Sequence, residues 1–291
     1  MSVHPTGART IAFTCAALVG FAGNSLLCRL ALGQRAVDAA TFTSVRLCAG
    51  ALTLTLLADR GRAPSPTGRG GSWTAAIALF AYAAAFSFAY LRLSAGTGAL
   101  ILFGAVQATM IGWALRAGDR PRPLVWVGFG VALCGLVTLT LPGLSSPDPE
   151  GAGLMVLAGI AWGAYSLLGR SAANALAVTA QNFRRSLPLA AAASLVTLGH
   201  AHASLRGVAL AAVSGSVASG VGYSFWYAAL RGLSRTRAAI AQLAVPPLAA
   251  AGGVVLLGET VTPRLWAAGA LILAGVGAAV WGPPARNPGT S

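Results

Sequence analysis

Gly258-Glu259-Thr260-Val261-Thr262-Pro263-Arg264-Leu265-Trp266 echoes Gly118-Asp119-Arg120-Pro121-Arg122-Pro123-Leu124-Val125-Trp126, 140 residues earlier. In both, an acid follows the glycine, a proline comes five positions after the glycine, and a tryptophan three beyond that. Outward from this pair the register holds. Gly135 falls on Gly275 and Leu93-Ser94 on Leu233-Ser234 at the same offset of 140, while Ser25-Leu26-Leu27-x-Arg29 meets Ser166-Leu167-Leu168-x-Arg170 at 141 and Arg46 meets Arg185 at 139. Matches within one residue of a single offset indicate an internal duplication.

The duplicated unit is built of apolar runs. Spanning a bilayer takes about 20 apolar helical residues, and ten such runs can be cut from the chain: 10–32, 39–57, 73–91, 97–115 and 124–141, then 151–168, 178–198, 208–230, 238–257 and 264–281. The seventh is the most interrupted, by Gln181, Asn182, Arg184, Arg185 and Pro188. The first also fits a signal peptide, with Arg9 as its basic region and small residues near Ala22, but its place in the repeat argues against cleavage. Five spans per unit is an odd number, so the second copy enters the membrane in the opposite sense. The expected fold is an all-α integral membrane protein of ten transmembrane helices in two inverted five-helix repeats, residues 1–143 and 151–282.

Composition agrees. Of 291 residues, 56% are apolar and 9% charged, with mean hydropathy +0.73, against roughly 25% charged in a soluble domain. The net charge of +14 comes from 20 arginines and no lysine, set against six acids. Nucleic-acid binding would concentrate that charge on one face or in one segment; here it is scattered between apolar runs, which excludes nucleic acid as the expected partner and leaves the lipid bilayer. With the N-terminus inside, twelve arginines fall in cytoplasmic segments and five outside. The positive-inside rule therefore puts both termini in the cytoplasm of a bacterial-type inner membrane. Asp148 and Glu150 then lie outside, and the proline-bearing tail from Gly282 is expected to be disordered. Cys15, Cys28, Cys48 and Cys134 show no metal spacing and are expected as small buried hydrophobes. No metal, cofactor or nucleotide fingerprint is expected; Gly96-x-Gly98 lacks the third glycine and the preceding strand.

Ionisable groups inside a span cost about 2.5–3.5 kcal/mol, so they tend to face a wet cavity. Arg46, about 10 Å along the second span at 1.5 Å per residue, and Arg185 in the seventh are candidates to attract an anionic group on a substrate; snorkelling to headgroups or pairing with helix carbonyls is the structural alternative. Arg184 points to another face. Uncharged candidates near mid-depth are Asn24, Tyr82, Phe86, Gln107, Trp162, Tyr165, Tyr223 and Gln242, with Trp226 nearer the inner interface. Tyr82/Phe86 and Trp162/Tyr165 each share a helix face. Such groups suit an apolar pocket with a few placed polar atoms, or else interhelical hydrogen bonding and interfacial anchoring. Gly159/Gly163 and the small residues Gly215, Ser219, Gly220 and Gly222 read as close helix packing. Pro246-Pro247 is expected to kink the ninth helix and to act as a hinge. Asp119 and Glu259 read as structural turn residues, with Thr262 capping a helix that starts at Pro263. His200 and His202 are expected to be solvated. No acid lies at mid-depth, so a coupling carboxylate is not evident.

The Gly258-Glu259-x-x-x-Pro263-x-x-Trp266 stretch leading into Leu271-Ile272-Leu273-Ala274-Gly275, the Arg46 and Arg185 positions, and the Ser-Leu-Leu-x-Arg runs resemble the EamA family of the drug/metabolite transporter superfamily over about residues 10–281. The resemblance implies five-plus-five inverted repeats and cytoplasmic termini. It also implies a central cavity walled by helices one to four and six to nine, with helices five and ten peripheral. It implies a secondary transporter, an exporter of a small organic metabolite such as an amino acid, working by alternating access; drug efflux is the alternative within that class. The repeats depart from one another, Asp119 against Glu259 and no proline pair in helix four, so their gates are not expected to move identically. A structural or receptor-like module is the alternative of another class. A membrane enzyme would need clustered acids, histidines or cysteines at depth, and the sequence places none there. The glycines of helices five and ten suggest a possible homodimer.

Overall fold

The computed structural model describes residues 7–60, 71–117, 123–140, 147–169, 174–233, 238, 241–260 and 262–280. Asp119, the arginines at 62, 69, 120, 122, 170, 235, 237 and 286, and the tail from Gly282 lie outside the described residues. The chain runs through α1 (Gly7–Gly33), α2 (Ala39–Arg60), α3 (Trp73–Ala89), α4 (Ala95–Arg116) and α5 (Pro123–Thr140). It continues through α6 (Pro149–Gly169), α7 (Ala175–Val196), α8 (Leu205–Leu230), α9 (Val245–Leu257) and α10 (Pro263–Val280). No strand occurs among the described residues.

Helices α1, α2, α4, α6 and α8 are long and apolar enough to cross a membrane, and α3, α5, α9 and α10 carry shorter apolar segments. Helix α7 meets neither description, because Gln181, Asn182, Arg184 and Arg185 dilute its first half. Ile11, Val19, Leu52, Leu195, Val255 and Trp266 are exposed on the bundle's outer surface. A surface this apolar needs lipid around it. The lipid also accounts for a correction: only Cys28 is buried, whereas Cys15, Cys48 and Cys134 are exposed among these outward apolar groups.

The starts of α5 and α10 fall where the repeated prolines put them, at Pro123 and Pro263. Proline suits a helix's first position because that N–H has no intrahelical acceptor. In the ninth helix a 3-10 turn, Gln242–Ala244, follows helical Ala241 and precedes Val245, so Pro246 and Pro247 stand in the first turn of the α-helical stretch Val245–Leu257.

Helix α5 packs along α10, α2 along α7 and α8, α4 along α6 and α9, α3 along α6 and α7, and α1 along α8 and α9. The α5–α10 contact uses the aligned glycines reciprocally. A Cβ on Gly135 would sit 2.8 Å from the Ala268 carbonyl oxygen, and one on Gly275 would collide with the Gly128 carbonyl oxygen. These glycines therefore serve a contact within the chain, where backbones can approach only without side chains. Gly159 and Gly163 do the same for α6 against Ala105 and Thr109 of α4.

Two sets of contacts gather at one end of the bundle. The α1–α2 link pairs with the α7–α8 link through the antiparallel bridge Val37–Ala203. There Asp38 caps α2 by accepting from Thr41 N at 2.9 Å and also accepts from His202 N at 3.0 Å. Burial of its carboxylate disfavours ionisation, but these hydrogen bonds outweigh that and hold the Asp38 carboxyl below its ordinary range. His200 and His202 are exposed.

Candidate functional site

The site begins at a buried charge. Arg46 on α2 is 1% exposed, among the largest fully buried side chains. Its Nε donates to Ser219 Oγ at 3.3 Å and its Nη2 to the Tyr82 hydroxyl at 3.1 Å. The guanidinium carbon lies 5.2 Å from the Tyr82 ring centre and 5.1 Å from that of Phe86, a range in which an aromatic face attracts a cation. Nη1 has no hydrogen-bond partner. Among the described residues no carboxylate forms an ion pair with Arg46.

A polar ring links four helices around this charge. Ser214 of α8 donates to Asn24 Oδ1 of α1 at 2.6 Å, and Asn24 Nδ2 donates to the Tyr82 hydroxyl of α3 at 3.3 Å. Tyr82 accepts from Arg46 of α2, and Arg46 returns to Ser219 of α8. The α8 stretch that closes the ring, Ser214–Val221, is π-helical. Such segments occur frequently at functional sites. Gly215 within it presses on the Arg46 carbonyl oxygen, leaving no room for a Cβ.

Phe21, Asn24 and Ser25 of α1, Tyr82 and Phe86 of α3, Leu102 and Phe103 of α4, Trp162 of α6, and Ala218, Ser219 and Tyr223 of α8 enclose a chamber. Its free volume is about 10 Å³, room for roughly one water. Trp162 and Tyr223 are also walls of a second, larger cavity of about 390 Å³. Met110, Ser166, Gly169, Leu176, Trp226, Arg231 and Gln242 continue this vestibule toward the ends of α6 and α8. The two rings, 5.1 Å apart, form the partition between chamber and vestibule. Trp162 is tethered by its Nε1–H to Gln242 Oε1 at 3.2 Å, and Phe21 packs edge-on against Trp162, Tyr223 and Trp226.

The opposite end is tied together by charged contacts. Glu259 accepts from Ala95 N at 3.0 and 3.2 Å, and Arg29 Nε lies 3.7 Å from its Oε1. Arg29 also donates to the Tyr90 carbonyl at 3.0 Å. Arg92 pairs with Glu150 at 2.6 Å and Asp148 at 3.7 Å. These contacts bind the ends of α1, α3, α4, α6 and α9. Glu259 is thus more than a turn residue: it caps the N-terminus of α4 across the bundle, where its charge meets the helix dipole.

Of the residues singled out from sequence, Asn24, Tyr82, Phe86, Trp162 and Tyr223 converge on the chamber, with Arg46 directly behind Tyr82 and Ser219. Gln242 and Trp226 line the vestibule. Tyr165 is buried beside Trp162, ring centres 5.7 Å apart, and lines neither cavity. Gln107 is buried in α4, also outside both linings. Arg185 lies beside Gly71 at the start of α3 and lines neither cavity. Phe21 and Ser219 were not among the binding candidates. Phe21 lies three residues before Asn24 and shares its face, a signal the sequence carries.

A helical bundle with a lipid-compatible exterior and a small internal chamber, parted by two aromatic rings from a larger cavity, is that of a multi-pass membrane protein. Residues 149–281 match the model of the EamA-like transporter family. The uncharacterized protein PA1977 of Pseudomonas aeruginosa is 50% identical over 268 residues, covering 92% of this chain and 93% of its own. The chain belongs to the EamA-like transporter family. A solved structure described simply as a protein crystal structure superposes with a TM-score of 0.64 at 22% identity, covering 91% of this chain and 96% of that one; this likeness concerns the fold alone.

Proposed function

We propose that the protein is a secondary transporter that exports a small organic metabolite by alternating access. The observation that carries this reading is the asymmetry around the chamber. Arg29–Glu259 and Arg92–Glu150 close one end, while a cavity of about 390 Å³ reaches the Trp162–Tyr223 partition from the other. A transporter needs such a site, accessible from one side at a time.

The two access states arise naturally from ten crossings arranged as inverted five-helix units, residues 1–143 and 151–282. A pseudo-twofold axis exchanging each helix with the one five later predicts self-pairs α2–α7, α4–α9 and α5–α10. It also predicts that α3–α6 is mirrored by α1–α8, α4–α6 by α1–α9, and α2–α8 by α3–α7. The packing supports this reading, because every one of these contacts is present. With the positive-inside orientation, both termini lie on the cytoplasmic side of the inner membrane and the vestibule opens there, the loading state of an exporter. Asn24, Arg46, Tyr82, Phe86, Trp162 and Tyr223 form the substrate site. Gln242 anchors the partition, and Pro246 and Pro247, following the 3-10 turn, are the hinge by which the start of α9 releases Trp162.

The test is solute counterflow in proteoliposomes. Saturable uptake of a labelled metabolite, driven by the same metabolite preloaded inside, is expected. Folded protein that gives no counterflow across a broad metabolite panel contradicts the reading.

A further inference from the structure

Arg46 is buried as a cation, yet the residues that hold it are a serine, a tyrosine and two aromatic faces. Of the six acids of the sequence, Asp38, Asp59, Asp148, Glu150 and Glu259 are among the described residues, and none of these five lines the chamber or the vestibule. Burying a charge without a counter-charge is costly, and the hydrogen bonds to neutral oxygens offset only part of that.

Unused donor capacity remains here: Arg46 Nη1 and the Tyr223 hydroxyl are buried without partners. The Tyr82 oxygen already accepts from both Asn24 and Arg46, so its own proton remains for an acceptor. A guanidinium edge flanked by phenolic hydroxyls matches a carboxylate, whose two oxygens accept several hydrogen bonds in one plane. The rest of the enclosure is apolar and mostly flat: Phe21, Phe86, Phe103 and Trp162.

We propose that Arg46 is the anchor for the acidic group of the transported solute, and that the solute is a small organic carboxylate with a flat apolar body. This rests on the transport reading and narrows it. The solute enters through the vestibule, where Arg231 is the charged residue among the described residues of the lining, and passes between Trp162 and Tyr223. Its carboxylate replaces the missing counter-charge of Arg46 while its body takes the space the Trp162 and Tyr223 rings now occupy.

Thermal shift and tryptophan fluorescence of the purified full chain in lipid nanodiscs test this with matched triads: 3-phenylpropionate, 3-phenylpropionamide and 3-phenylpropylamine, then the corresponding indole, aliphatic C4 and aliphatic C6 sets. At least one acid is expected to bind tenfold or more tighter than its own amide and amine. That preference should vanish in R46Q and persist, weakened, in R46K. The wild-type triads decide the matter even where R46Q does not fold. Absence of acid preference in every triad, or an acid preference unchanged in a folded R46Q, overturns the proposal. Solute flux in liposomes without acid preference overturns the anchor and leaves transport standing; acid-selective binding without any counterflow does the reverse.

Discussion

The Nη2 of Arg46 donates to the Tyr82 hydroxyl at 3.1 Å while the guanidinium carbon lies 5.2 Å from the centre of the same ring. One side chain thus holds the buried charge both as hydrogen-bond acceptor and as aromatic face, and it joins α2 to α3 beside the chamber. Tyr82→Phe keeps the ring and removes the oxygen, orphaning donors on Arg46 and Asn24. The expected cost is about 1–3 kcal/mol, read as a lower thermal midpoint in detergent, together with weakened counterflow. An unchanged midpoint would mean that the ring of hydrogen bonds does not contribute to folding.

Gly215 is a second point where α2 and α8 depend on one another. A methyl there meets the Arg46 carbonyl oxygen, a backbone atom that cannot swing aside. Gly215→Ala is expected to destabilise by about 1–3 kcal/mol through overpacking. Gly130 in α5 has open space where a methyl group would sit, so Gly130→Ala should be neutral or gain about 0.5–1 kcal/mol of helix stability. Parallel thermal melts of the two variants check the contrast.

The Glu259 carboxylate holds α4 and α1 at the sealed end. Glu259→Ala should loosen that end. The Arg29 pair is partly exposed, at 29% and 19% for its two side chains, so its share is about 1 kcal/mol or less. Loss of the cap on Ala95 N adds to this. Labelling of a cysteine replacing buried Leu93 by a membrane-impermeant thiol reagent should therefore accelerate about fivefold or more in a background without native cysteines. Unchanged labelling would show that these contacts do not govern access.

Asp38 sets a pH dependence. Hydrogen bonds from Thr41 and His202 lower its folded-state pKa beneath the ordinary 3.8. The unfolded chain thus binds the proton more readily, and stability rises with pH through that window. The contribution is complete above pH 3.8 and disappears as pH falls through the lower folded value. Asp38→Asn should be less stable than wild type at pH 6, with the gap closing below pH 3.8. A gap of constant size across this range would contradict the assignment.

Much of the architecture was legible because membrane helices announce themselves by length and apolarity, and because the Pro123 and Pro263 starts recur in register. The glycine pair Gly135 and Gly275 was legible as a repeat but not in its use, since a sequence does not say which backbone a bare Cα will face. Tyr82, Phe86, Asn24 and Trp162 could be placed near mid-depth by counting turns. Their convergence depends on helix rotation, which counting leaves open. The π-helical stretch Ser214–Val221 left no advance sign beyond small residues, so Ser219 passed for packing. Arg46 and Arg185 occupy matching repeat positions, yet one is engulfed by aromatics and the other stands beside Gly71.

The central claim, that the sealed end must open for a solute to pass, is tested most directly by tying Arg29 to Glu259. With both replaced by cysteine in a chain lacking its four native cysteines, a bifunctional methanethiosulfonate reagent should abolish counterflow in proteoliposomes, and reducing the link should restore it. Counterflow that continues at full rate with the cross-link in place would contradict alternating access through this end of the bundle.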